Sequence, residues 1–200
     1  MQSYRIRQFE LRSESDELLV REIREGDQFA LKELFRRYYS GLFRFAFRTV
    51  HSKEDVEDMV EAVFEKLWMN RRNLDPAKAI RLFLYKAVQN QTVDFMRRKG
   101  RSRLTVSSDV DTDEENQSRV EAISSSDPSQ ELVERELEAA VKKALERLPK
   151  KTKVVFTLNR QDGLTYSEIA ELLGISVRTV EHQIVRALKL LRVDLKYFIG

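Results

Sequence analysis

The chain has 200 residues, no cysteine, two histidines and a net charge of +3, from 36 Lys and Arg against 33 Asp and Glu. The lack of cysteine excludes a disulfide framework, thiolate chemistry and a zinc ribbon, and this length supports one large or two small domains without covalent staples. No stretch has the apolar length of a signal peptide or a membrane span, so a cytoplasmic protein with no membrane insertion is expected.

Glycine and proline are scarce, 6 and 3 residues, and apolar positions recur at helical spacing nearly everywhere outside the middle. The expected fold is all-α, with two small helical domains joined by a flexible acidic linker. Residues 1–16 read as a loose basic tail and 17–101 as the first domain, with helices at 16–25, 27–39, 41–51 and 53–70. In "EDVEDMVEAVFEKLW" (54–68), Val56, Met59, Val60, Val63, Phe64 and Leu67 share one helical face. Glu54, Asp58, Glu61 and Glu65 form a stripe on another, suited to a basic partner helix or simply to solvent.

"NLDPAKAIRLFLYKAVQNQTVDFMRRKGR" (73–101) opens with a loop at Leu74–Lys78, and Pro76 marks a helix start. A helix over 77–99 is expected to turn Ile80, Phe83, Leu84, Ala87, Val88 and Phe95 to the core. Lys86, Asn90, Asp94 and Arg97 share its polar face, and Arg97-Arg98-Lys99 concentrate positive charge at its end. Asn90 offers donor and acceptor to a base edge. Tyr85 and Phe83 are candidates to stack on unpaired bases, with Phe83 the better candidate for the core.

Residues 102–130 are rich in serine and acid with no sustained apolar face, the composition of a linker that stays unfolded. The second domain, 131–200, is expected to hold helices at 129–148, 150–161, 165–173 and 176–196. Thr165 and Glu168 fit a capping box, Gly174 fits a left-handed helix exit, and Ser176 caps the next helix. Val177, Val180, Ile184, Ala187, Leu188 and Leu191 give that helix its apolar set. Two such helices form a helix-turn-helix, whose second member enters the major groove. Its polar side carries Arg178, Thr179, Glu181, His182, Gln183, Val185 and Arg186. Glu181 suits cytosine N4, Gln183 suits adenine, Val185 suits a thymine methyl, and the arginines suit phosphates. Two histidines without cysteine make a metal site improbable, and no cofactor is expected.

This helix-turn-helix also resembles the output domain of LuxR-type regulators. With "ALERLPKKTKVVFTLNRQDG" before it, the segment resembles region 4 of the sigma-70 family. The earlier run of acidic helix, Phe-x-x-Leu-Trp, loop, then Leu-Tyr-x-x-x-x-Asn-x-x-x-Asp-x-x-Arg-Arg is similar to region 2 of the extracytoplasmic-function (ECF) sigma factors. LuxR-type regulators lack it. The two matches cover the chain from about Phe29 to Leu195.

The resemblance implies a non-enzymatic subunit that binds core RNA polymerase, selects a promoter and helps separate its strands. Glu54, Asp58, Glu61, Glu65 and Phe64 would sit against the clamp helices of the largest subunit. The loop Asn73–Ala79, with Leu74, Asp75 and Lys78, would join Lys86 and Asn90 in holding a flipped base of the −10 element. Arg97, Arg98 and Lys99 would meet phosphates there. Ser176, Arg178, Thr179, Glu181, His182, Val185 and Arg186 would face the −35 element, and the helix around Val154–Leu158 would help hold the flap of the second-largest subunit. An anti-sigma factor is a possible further partner. Two departures stand out. Glu61 and Ala62 replace the glutamine and acid usual after the position of Asp58. Glu181 stands where some members carry a base. The competing readings are a free-standing dimeric repressor and a nucleic-acid enzyme. The first leaves the acidic helix unexplained, and the second lacks a phosphate loop or nucleophile constellation.

Overall fold

The computed structural model describes residues 14–103, 136 and 139–196. Most of the expected tail and linker therefore lies outside the described residues. The described residues contain helices and no strand. The chain divides into two units, Met1–Val106 and Ser107–Gly200.

In the first unit, Ser15 caps helix α1 (Asp16–Arg24) by accepting from the Leu18 amide, and Leu19, Val20 and Ile23 turn inward. Asp27 caps α2 (Gln28–Val50), accepting from the amides of Phe29 and Ala30. Here the structure corrects the sequence reading, because α2 is one helix where two, 27–39 and 41–51, were expected. Gly41 is buried within it and does not end it. A mid-helix glycine costs only about 1 kcal/mol, while Leu34, Tyr38, Leu42, Ala46 and Val50 all bury along the continuous face. Rings four residues apart also span the expected break: Tyr39–Phe43 at 6.0 Å and Phe43–Phe47 at 5.6 Å between centroids.

α2 closes at His51 in the left-handed region (φ 56°), and Ser52 caps α3 (Lys53–Met69). A short 3-10 turn, Arg71–Asn73, leads towards α4 (Ile80–Arg103). α1, α3 and α4 all pack on α2. Phe35 meets Phe64 edge-on at 4.9 Å, and Phe45 meets Tyr85 the same way at 5.4 Å.

One polar knot ties α1 to α2. Arg37 donates to Asp16 at 2.5 Å and Tyr38 donates its hydroxyl to the same carboxylate. Burial, reinforced by the Asp16 bond, pushes the Tyr38 phenol up to about 12. A free phenol titrates near 10, so the neutral ring stabilises the fold fully below that pH. The contribution, about 2–3 kcal/mol, is lost as pH rises from about 10 to 12. Tyr38→Phe is expected to flatten this part of the alkaline stability profile, as read by thermal melts across that range.

In the second unit the chain is helical through residues 139–146 (α5), followed by α6 (Lys150–Arg160), α7 (Tyr166–Leu173) and α8 (Val177–Asp194). Ala144, Leu148, Ala187 and Leu191 form one core cluster, with Leu145, Phe156 and Leu195 against it. Leu158, Leu164, Ile169, Val180 and Ile184 are also buried. Asn159 donates to the Leu164 carbonyl at 2.8 Å, fixing the turn from α6 into α7.

Candidate nucleic-acid interface

The turn between α7 and α8 is built as its residues require. Thr165 accepts from the Glu168 amide while the Glu168 carboxylate accepts from the Thr165 amide, so the capping box is closed. Gly174 leaves α7 at φ 64°, a conformation cheap only without a Cβ. Ser176 then caps α8, accepting from the Thr179 amide and sharing a 2.8 Å hydrogen bond with its hydroxyl. The Ser176 hydroxyl is thus engaged in capping α8.

Val180, Ile184, Ala187 and Leu191 bury one side of α8. Arg178, Thr179, Glu181, His182, Val185 and Arg186 are exposed on the rest, with Val185 at 65 %. Two details differ from expectation. Val177 and Leu188 belong to the exposed large apolar side chains and not to the core, because they lie at the flank of the buried stripe. Gln183 is half-buried, and its Oε1 accepts from the Thr152 hydroxyl at 2.6 Å. Adenine readout needs both amide ends on one base edge, so it is not available in this geometry. The 154–158 segment is also used internally. Val155 and Leu158 are buried and Phe156 packs on the core cluster, so these side chains are not a docking surface.

In the first unit, Asn90, Asp94, Arg97, Arg98 and Lys99 are exposed along α4, with Lys86 half-buried. Asp94 accepts from Arg97 at 3.1 Å, which gives that acid a structural partner. The two candidate stacking rings exchange roles. Tyr85 is core, 1 % exposed, whereas Phe83 is 48 % exposed. On a helix, positions 83, 86, 90 and 97 fall on one side, so Phe83 begins the row that continues through Lys86 and Asn90 to Arg97. The loop before α4 exposes Asn73, Asp75 and Lys78, with Leu74 half-buried. Asp75 accepts from the Ala77 amide at 3.1 Å, fixing the turn locally.

On α3, Glu54, Asp58, Glu61 and Glu65 are exposed in a single stripe. Glu54, Asp58 and Glu65 form no ion pair among the described residues. Phe64 is a correction. It is 4 % exposed and packs on Phe35, so it supports α3 from beneath. An open groove of about 600 Å³ between α3 and α4 brings Asp55 and Asp58 to face Arg98 and Lys99 over Met59 and Phe95. Periodicity placed the acids and the bases on separate helices and gave no sign that they share this groove. No group of three or more His, Asp or Glu able to hold a metal occurs among the described residues.

Residues 34–102 match the family description "Sigma-70 region 2", and 138–191 match "Sigma-70, region 4". The ECF RNA polymerase sigma-E factor of Escherichia coli (strain K12) is 33% identical over 175 residues, covering 86% of this chain and 90% of that one. The protein of the same name from Haemophilus influenzae is 29% identical over 174 residues, covering 86% and 91%. Among solved structures, the sigma factor RpoE bound to the anti-sigma factor NepR, from Bartonella quintana, aligns with TM-score 0.54 at 21% identity, over 82% and 96% of the two chains. CnrH bound to the cytosolic domain of CnrY aligns with TM-score 0.53 at 24% identity, over 92% and 99%. These two likenesses speak for the fold. A unit matching region 2, followed by a helix-turn-helix unit matching region 4, defines a sigma-70-type factor of transcription initiation. The chain belongs to the ECF sigma factors, and its function is promoter-specific initiation.

Proposed function

We propose that the two units divide promoter recognition between them, and that the row Phe83–Lys86–Asn90–Arg97 along one side of α4, exposed at all but the half-buried Lys86, carries this reading. In this assignment α4 and the loop 73–79 hold the unpaired −10 strand. Phe83 stacks on a base, Asn90 reads an edge, and Arg97, Arg98 and Lys99 take phosphates. α8 enters the major groove of the −35 element with Arg178, Thr179, Glu181, His182, Val185 and Arg186. The acidic stripe of α3 docks on the clamp helices of the polymerase largest subunit, and the second unit engages the flap of the second-largest. Residues 102–130 serve as the tether between domains 17–101 and 131–200. The protein works in the cytoplasm, without catalysis of its own. An anti-sigma factor is its proposed regulator, the class of partner that the Bartonella RpoE structure contains.

The test is to mix the purified chain with core RNA polymerase, follow co-elution, and transcribe a genomic promoter library. Stable association with new start sites, each preceded by two sequence blocks, is the expected result. No association, with tight binding of the chain alone to a palindrome, would overturn it in favour of a repressor.

A further inference from the structure

Thr152 is wholly buried in the first turn of α6, yet its hydroxyl reaches 31 residues along the chain to the α8 amide of Gln183. Gln183 lies one turn after Thr179 and one turn before Arg186, and both neighbours are exposed. A glutamine amide normally presents two interchangeable ends, an acceptor and a donor. Here the acceptor is turned towards α6 and held. The Nε2 group makes no hydrogen bond among the described residues and is not among their buried unpaired atoms. The outward end is therefore a donor with no acceptor beside it.

We propose that Thr152 is a positioning residue for −35 specificity: by holding Gln183 Oε1 it makes Gln183 a pure donor towards the base edges. This inference rests on the assignment of α8 to the −35 element. A donor alone finds two major-groove acceptors at guanine, O6 and N7, one at thymine O4 or adenine N7, and none at cytosine. It also loses the paired geometry with which a free glutamine picks adenine. The discrimination is made by a residue on another helix, out of reach of the groove.

The experiment uses the full chain with core polymerase on a promoter library randomised through the −35 element. The variants are Thr152→Val, Thr152→Ser and Gln183→Glu. The wild type is expected to prefer guanine at one position of the element and to exclude cytosine there. Thr152→Val keeps the shape and removes the hydroxyl, so the amide can turn, and that preference should fall roughly tenfold in favour of adenine, which a free amide bonds at both N6 and N7. Thr152→Ser should restore the wild-type profile. Gln183→Glu keeps an acceptor for Thr152 but presents an oxygen outward, which should shift the same position towards cytosine or adenine. An unchanged base profile in Thr152→Val would overturn the inference alone. So would a uniform loss across all −35 sequences, since that is the mark of a merely structural hydroxyl. A wild type with no −35 preference at all would overturn both this inference and the assignment of α8.

Discussion

Alanine at Tyr85 is expected to unfold the first unit, whereas alanine at Phe83, two residues away, leaves it folded and impairs initiation. Tyr85 is 1 % exposed and meets Phe45 edge-on. Truncating a buried ring of this size costs about 3–5 kcal/mol. A domain holds only about 5–15 kcal/mol in total, so Tyr85→Ala should lower the midpoint of thermal unfolding sharply. Phe83 is about half exposed and has less packing to lose, so its removal should move that midpoint far less. If Phe83 stacks on a base of the separated strand, its loss removes about 1–3 kcal/mol. Open-complex formation should then fall roughly tenfold to a hundredfold, with Phe83→Trp retaining activity. Equal destabilisation by the two substitutions would contradict the burial difference. A folded Phe83→Ala protein with full activity would remove this ring from the −10 interface.

Reversing charge at two points of the α3 stripe, Asp58→Lys with Glu65→Lys, is expected to abolish stable association with core polymerase. An isolated exposed ion pair contributes only about 0–1 kcal/mol. Close charge pairs across an interface couple by about 1.5–7 kcal/mol, and like charges placed together cost several more. A loss of at least a hundredfold in affinity follows, and binding of the unaltered chain should weaken with salt. Both side chains are exposed and lack an ion pair among the described residues, so the fold should survive. Glu17→Lys is the control, because that exposed acid lies on α1 and not on the stripe; it breaks only the exposed pair with Arg21. Co-elution of the doubly reversed chain at normal yield would show that polymerase docks elsewhere.

Much of this was legible in the sequence where local chemistry decides the outcome. Caps at Thr165, Gly174 and Ser176 depend on residues within four positions of each other, and all three formed as their side chains require. The acidic stripe followed from spacing alone. What escaped depended on a second element. Phe83 and Tyr85 are both large aromatics near the start of α4, and packing against α2, where Phe45 meets Tyr85, separates core from surface. Gln183 looked free because its partner Thr152 lies on a different helix. The two helices expected over 27–39 and 41–51 are one because a continuous buried face, with Tyr38, Gly41 and Leu42 on it, runs through the junction. Periodicity finds a helical face but not what fills the space opposite.

The unbroken course of α2 has a bearing on how the first unit comes apart. Three neighbouring helices lean on one spar of 23 residues, and no hinge interrupts it. With two short helices, half of the unit could loosen while the rest stayed ordered. A single spar leaves no internal seam, so thermal opening involves the whole unit or only its fringes. The polymerase-facing stripe and the strand-facing row therefore share one fate: damage to either support silences both surfaces together.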